Sequence, residues 1–400
     1  MDMFKNSGPG VLIAAAFIGP GTVTACILAG VGFGYVLLWA MVLSIVATIV
    51  LQGMAARLGV VTQQGLADVI KQELRTKWLR FAVVGVILAA IVVGNAAYEA
   101  GNLGGAVLGM QALFGNENSL LYPYIIGSIA FVLLYLGSYK VLEKVFVALV
   151  FVMSFSFILT ALVTGPAVLE VLSGLFVPKI PQDSILTIIA LVGTTVVPYN
   201  LFLHASLVSE KWKTTDELPA AKKDTVLAVM LGGFVSICII VSAAAITNSE
   251  VSNVMDMAQA LEPLYGASAR YFMGAGLFAA GITSAITAPL AAAYVANSCF
   301  GWKAGLKDIR FRFIWMLILG LGIFFLSFDI KPIEIIKFAQ IANGILLPVI
   351  AVFLLWVVNR KSVMGVYRNT KVQNILGILI IVLAIVLGAK SIFKVVGINF

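Results

Sequence analysis

Charge is scarce in this sequence. Acidic and basic residues together make up 11% of its 400 residues, against roughly a quarter in soluble domains. Cysteine is nearly missing as well: Cys26, Cys238 and Cys299 show no paired spacing, which leaves no disulfide framework and no metal-ligand motif. All three fall in apolar runs and read as small buried residues. Polar segments are short too. The connections between apolar runs span roughly 20 residues or fewer, too little for a folded soluble domain, so a soluble enzyme and a receptor with an ectodomain are both excluded. The roughly ten-residue alternation of apolar and polar positions that marks a β-barrel is also missing. What the chain has is apolar surface: 61% hydrophobic residues in runs long enough, at ~20 residues per crossing, for about eleven spanning helices. This is the pattern of an all-α polytopic membrane protein, and not of an enzyme.

The expected spans lie near 8–31, 34–56, 79–108, 121–138, 143–164, 184–209, 225–247, 269–300, 312–328, 332–357 and 372–394. The first is interrupted by Pro9 and Gly10 and again at Gly19–Gly21, unlike a cleavable signal peptide, and is expected to stay in the mature protein. With the N-terminus inside, 20 of the 26 basic residues fall on the cytoplasmic side, Lys5 and Lys303 among them. Six are left outside: Lys179, Arg270, Lys331, Lys337, Lys390 and Lys394. That asymmetry is the positive-inside rule, so the net charge of +8 records orientation and calls for no nucleic-acid partner. The expectation is a protein of the cytoplasmic (plasma) membrane with its N-terminus inside and C-terminus outside. The lipid bilayer is its surroundings, and no cofactor and no obligate protein partner is indicated.

Two spans are broken near their middle. The first reads Ala16-Phe17-Ile18-Gly19-Pro20-Gly21-Thr22-Val23-Thr24, and the sixth reads Gly193-Thr194-Thr195-Val196-Val197-Pro198-Tyr199-Asn200. Proline removes a backbone donor and clashes with the preceding turn, and glycine weakens the helix further. Each break runs through a small or apolar residue, Pro, any residue, then Thr or Asn. Five spans separate the first from the sixth, so the two run antiparallel. Interrupted segments at corresponding positions of two halves point to a secondary transporter built on an inverted repeat. The expected division is a first repeat over 1–164 (spans one to five), a second over 184–357 (spans six to ten), and an additional span at 372–394. Unwound backbone at membrane depth is tolerated where it lines a cavity, which makes the breaks the candidate substrate site.

At these residues the chain resembles the Nramp family of divalent-metal transporters, which have the LeuT-type fold. Pro198-Tyr199-Asn200-Leu201-Phe202-Leu203-His204 is similar to that family's M-P-H-N-L-x-L-H stretch. Gly19-Pro20-Gly21-Thr22 sits where the family has D-P-G-N, and Asn95-Ala96-Ala97-Tyr98-Glu99-Ala100-Gly101 resembles its T-D-x-x-E-x-x-G region. The resemblance implies a LeuT-type 5+5 inverted repeat with an eleventh helix. The departures fall on the metal ligands: Gly19 replaces the family's Asp, Thr22 its Asn, Val197 its Met, Tyr199 its His, and Ala96 the Asp of the third span.

Those departures decide the expected cargo. A divalent ion leaving water needs compensating charge or a near-complete oxygen shell, and Gly19 and Val197 supply neither. The break at Gly19, Pro20, Gly21 and Thr22 precedes the N-terminus of a half-helix, which favours an anion. Thr24 adds a hydroxyl, and Val197, Tyr199 and Asn200 could orient the rest of a ligand. The expectation is therefore a small organic solute with an anionic group, such as an amino acid or carboxylate. A divalent cation is the alternative, with Mg²⁺ favoured because it keeps most of its waters. Protons are the expected coupling ion. Glu99 shares a helix face with Asn95 and Asn102, and an intramembrane carboxylate is a functional residue by default. His204, one turn beyond Asn200, has a family counterpart that implies a place on a proton exit route. Gln340, Asn343 and Asn297 are polar enough to line a cavity or to join helices. Pro289 and Pro348 read as kinks, residues 62–77 as an amphipathic surface helix, and Asn248–Leu264 as an acidic external loop.

Overall fold

The computed structural model describes residues 18–137, 140–246, 251–302, 304–328 and 330–396. The start of the first expected span, with Lys5, Pro9, Gly10, Ala16 and Phe17, lies outside them, as do Lys303 and positions 248–250.

The described residues fold into fourteen helices that matter for the site. They are α1 (Pro20–Phe33), α2 (Leu38–Thr62), α3 (Leu66–Glu73), α4 (Lys77–Phe114), α5 (Tyr122–Leu136), α6 (Lys140–Val163) and α7 (Val168–Phe176). The second set is α8 (Ile185–Thr195), α9 (Pro198–Lys211), α10 (Leu218–Ala243), α11 (Ala269–Phe300), α12 (Ile309–Leu326), α13 (Pro332–Val358) and α14 (Lys371–Val396). Nine stretches of the described residues are long and apolar enough to cross a membrane, α8 and α9 counting as one; α1 and α5 are shorter apolar helices. These follow the eleven apolar runs of the sequence.

The break in the sixth span is present, and the first-span helix begins at the expected proline. The last residues before α1 are Ile18 and an extended Gly19 (φ −79°, ψ 173°), and the helix begins at Pro20. In the sixth span α8 stops at Thr195, Val196 and Val197 leave the helical region, and α9 restarts at Pro198. Proline at the first helical position suits a restart because its missing N–H would have no partner there anyway. Pro289 and Pro348, by contrast, sit inside continuous helices.

Inside a membrane the hydrophobic effect does not drive helices together, so close approach through small residues does. The long helix α4 packs chiefly against α11, α13 and α12, and its glycines make this possible. A methyl group on Gly105 would overlap the Pro20 ring, and one on Gly109 would lie 2.5 Å from the Phe278 nitrogen of α11. The broken sixth span is the most enclosed of the apolar stretches, whereas α14 is among the most peripheral.

Three connecting segments differ from their sequence reading. The 62–77 stretch does form a helix, α3, but it is wedged into the fold: Leu66, Ala67, Val69 and Ile70 are buried, and Asp68 accepts a hydrogen bond from Ser298 at 2.8 Å. Residues 251–264 are not an open loop; they make short helical turns opened by an Asn253–Asp256 capping box and bury Met257 and Leu261. The connection after α6 carries α7, a short helix exposing Leu169 and Phe176. The three cysteines are free and buried.

Candidate functional site

The start of α1 meets the break in the sixth span. Thr22, in the first turn of α1, and Thr194, in the last turn of α8, bring their hydroxyls to 2.8 Å. The N-terminal end of one half-helix thus abuts the C-terminal end of the other, positive dipole end against negative. Pro198 has no N–H with which to reach back to the Thr194 carbonyl. Among the described residues no backbone N–H reaches the carbonyls of Gly193, Thr194 or Thr195. A helix leaves its last carbonyls unpaired, and among the described residues nothing reaches these three in the interior. The second turn of this junction is held by Ser44 of α2, whose hydroxyl bonds Thr195.

α13 closes the junction. The Gln340 amide lies against Gly21, where a methyl group would overlap it, and the Gln340 backbone lies against Gly193. The close approach offered by Gly21 is therefore taken by a protein side chain, not left open for a ligand's carboxylate. Several polar atoms near the breaks and along α13 are buried without a protein partner: Thr24 Oγ1, Gln340 Oε1 and Asn343 Nδ2. Such groups in a native interior call for an explanation, a ligand or water among them. Asn200, in the first turn of α9, is buried, and its side-chain amide bonds nothing among the described residues. Val197 is buried beside it and offers no donor. Tyr199 meets the edge of Tyr98 on α4, ring centroids 5.4 Å apart.

The two ionisable candidates occupy separate places. Glu99 is fully buried on α4. One carboxylate oxygen accepts from Asn102 at 3.4 Å, the other has no partner, and its Cγ faces Gly322 of α12. Asn95, on the same face, instead donates to the Ala288 carbonyl at 3.0 Å. His204, fully buried on α9, pairs Nε2 with the Thr225 hydroxyl at 3.1 Å. That hydroxyl donates its single proton to the Ala221 carbonyl, so the neutral ring donates from Nε2. Its Nδ1 is left as an unpartnered acceptor.

Thr194, Ser44 and Tyr98 are the contributors that spacing did not single out. Thr194 stood inside the quoted break but 172 positions from its partner, and no local pattern records such a pairing. Asn297 does not line the site: it ties the end of α11 to the following chain through the Ala304 backbone at 3.2 Å. Among the described residues no three His, Cys, Asp or Glu side chains gather as a metal site.

A sixth span broken at Val196–Val197, set against the start of the first-span helix inside an all-helical bundle, is the arrangement of LeuT-type secondary transporters. A family model described as Nramp, natural resistance-associated macrophage protein-like, matches residues 10–394. The chain belongs to the Nramp family and is a membrane transporter. It is 28% identical over 394 residues to the divalent metal cation transporter MntH of Erwinia tasmaniensis, covering 96% of this chain and 93% of that protein. To the protein of the same description from Caldanaerobacter subterraneus it is 27% identical over 391 residues, covering 94% and 90%. Among solved structures, a manganese transporter of Eremococcus coleocola superposes with a TM-score of 0.77 at 22% identity, over 97% of this chain and 86% of that one. MhsT in complex with L-phenylalanine superposes with a TM-score of 0.62 at 15% identity, over 97% and 98%. Both likenesses bear on fold.

Proposed function

We propose that this transporter carries a hard divalent cation through the plasma membrane by alternating access around the two breaks. The observation that carries the reading is the carbonyl end of α8, where the oxygens of Gly193, Thr194 and Thr195 meet no backbone N–H among the described residues, beside Thr22 and Asn200. All of these donors are neutral oxygens. The α8 dipole adds partial negative charge at the same point. Relatives over nearly the whole chain are described as divalent metal cation transporters. The expected organic solute finds less support: Gln340 covers the Gly21 backbone on which its carboxylate was to rest.

Neutral oxygen donors without thioether or thiolate select against soft ions. Mg²⁺ dehydrates reluctantly and keeps several waters, so a partly hydrated Mg²⁺ suits this site better than Mn²⁺ or Fe²⁺. Buried Gln340 Oε1 and Thr24 Oγ1 are acceptors of the kind that hold such waters. We read Glu99 as the proton-coupling carboxylate and the bare Nδ1 of His204 as a second proton acceptor on the α9 side.

Proteoliposomes loaded with a Mg²⁺-sensitive dye test this directly. Saturable Mg²⁺ entry, inhibited weakly by Mn²⁺, is the expected result. Flux evoked by amino acids or carboxylates with no divalent entry would overturn it. Glu99→Gln is expected to abolish accumulation driven by a pH gradient while leaving downhill entry; unchanged pH dependence would take Glu99 out of the coupling.

A further inference from the structure

A groove of about 520 Å³ runs between α13 and α14, well away from the breaks. Its floor is apolar and includes Leu355 and Trp356 of α13 and Ile378 and Val382 of α14, with Asn359 and Arg360 at one end. The floor lies within two of the spanning stretches, yet Ile378 and Val382 are about half exposed. The groove is built, not incidental. Asn359 and Asn374 exchange side-chain amide hydrogen bonds at 2.8 and 2.9 Å. Asn369 joins Asn374 at 2.9 Å, and Arg57 of α2 reaches Gln373 at 2.9 Å. This clasp fixes the α13–α14 connection at the groove's polar end.

The charge at that end is mostly positive, Glu73 of α3 being the acidic neighbour, which accepts from Ser362 at 2.9 Å. No acidic residue follows Glu334 in the sequence, whereas Arg360, Lys361, Arg368 and Lys371 cluster within twelve positions. Arg360 touches Glu73 only at 4.0 Å and lies 4.9 Å from the Trp356 ring centre. Among the described residues no carboxylate pairs with Lys361, Arg368 or Lys371. Lys371, Ile378 and Val382 stand at i, i+7 and i+11, on one face of α14. The same face thus offers a cation at the water-facing end and an acyl-chain track below it. Aromatic and basic residues together mark the membrane interface, and basic pockets between spanning helices suit anionic head groups.

We propose that this groove is a binding site for an anionic phospholipid, its acyl chain lying along Ile378 and Val382 and its phosphate between Arg360 and Lys371. The depth of the apolar floor favours a lipid over an acidic peptide, which would leave Ile378 and Val382 uncovered. The bound lipid braces α14 against α13, the helix that carries Gln340 to the breaks. The inference does not depend on which substrate is carried.

Native mass spectrometry of the full chain in mild detergent, with phosphatidylglycerol or phosphatidylcholine of identical chains added, tests it. Wild type is expected to retain phosphatidylglycerol preferentially. The Arg368→Gln/Lys371→Gln variant, whose wild-type side chains make no hydrogen bond or ion pair among the described residues, is expected to lose at least tenfold of that retention, at about fivefold per cation removed. Val382→Trp, which fills the track and leaves the charges, is expected to lower retention of both lipids, with an unchanged thermal midpoint showing that the fold holds. Equal retention of the two lipids by wild type, or undiminished phosphatidylglycerol in either variant, overturns the proposal. So does a poly-glutamate peptide that displaces the lipid and binds Val382→Trp undiminished, which would assign the surface to a protein partner.

Discussion

Gly193→Val is expected to abolish uptake and to remove most monodisperse protein from a detergent extract. Gly193 stands one turn before the second break, where α8 and α13 touch backbone to backbone. A methyl group there would overlap the Gln340 carbonyl oxygen, with the Gly344 nitrogen at 2.7 Å and the Gln340 carbonyl carbon at 3.0 Å. Gly344 answers from α13, where a methyl group would lie 2.5 Å from Ile189 Cγ1 and 2.9 Å from its carbonyl oxygen. Overpacking a well-filled interior costs roughly 1–3 kcal/mol. Rotamer changes cannot relieve this clash, because its near atoms are main chain. The two helices must separate, taking Gln340 off Gly21 and Thr194 off Thr22. Gly320→Ala on α12 is the control: nothing lies within 4 Å of a methyl group there, so helix propensity alone predicts a gain of up to about 1 kcal/mol. Size-exclusion profiles and dye uptake of the two variants check the contrast. Wild-type behaviour of Gly193→Val would mean that α8 and α13 stand further apart in the working protein.

Asn200→Ala is expected to behave oppositely, keeping the fold and losing the cargo. Asn200 lies in the first turn of α9, its backbone nitrogen bonded to the Val197 carbonyl at 3.0 Å. Its side chain is buried and bonds nothing among the described residues, so truncation strands no partner. A hydrogen-bonding group aimed at a charge is worth about 1.5–3 kcal/mol, which converts to roughly tenfold to a hundredfold in apparent affinity. The expected result is a rise of that size in the half-saturating Mg²⁺ concentration, with the thermal midpoint of the purified protein unmoved. A fall in midpoint that tracks the loss of uptake would make Asn200 a packing residue instead.

These expectations rest on pairings that the sequence alone could not supply. Apolar run length marks where a helix is hidden from water, so the apolar spans were legible; Pro198 marked the sixth-span break and Pro20 the start of α1 to within a residue. The burial of Asn200 and His204 follows from their place in the same apolar run after Pro198. Hydropathy says nothing, however, about which helix faces which. Thr22 and Thr194 sit 172 positions apart, and Gln340 reaches Gly21 from further still. The Gly21 backbone shows the effect most plainly. A glycine next to a helix N-terminus reads as open backbone, and the side chain that covers it comes from α13. Segments such as α7 and the turns after Asn253 were missed for another reason: they are too short to impose a period.

The Thr22–Thr194 contact has a further chemical consequence. Each hydroxyl can give or take the proton in that bond, so the pair holds the two half-helices together with no net charge. When a cation arrives, both oxygens can turn their lone pairs to it and swing their protons toward neighbouring acceptors, with no proton leaving either group. A carboxylate in either position would attract the ion when the site is vacant and hold it when the site must empty. Two alcohols make a reversible clasp whose opening is electrically silent. Under the proposed function, whatever charge moves during transport would then lie outside the hinge.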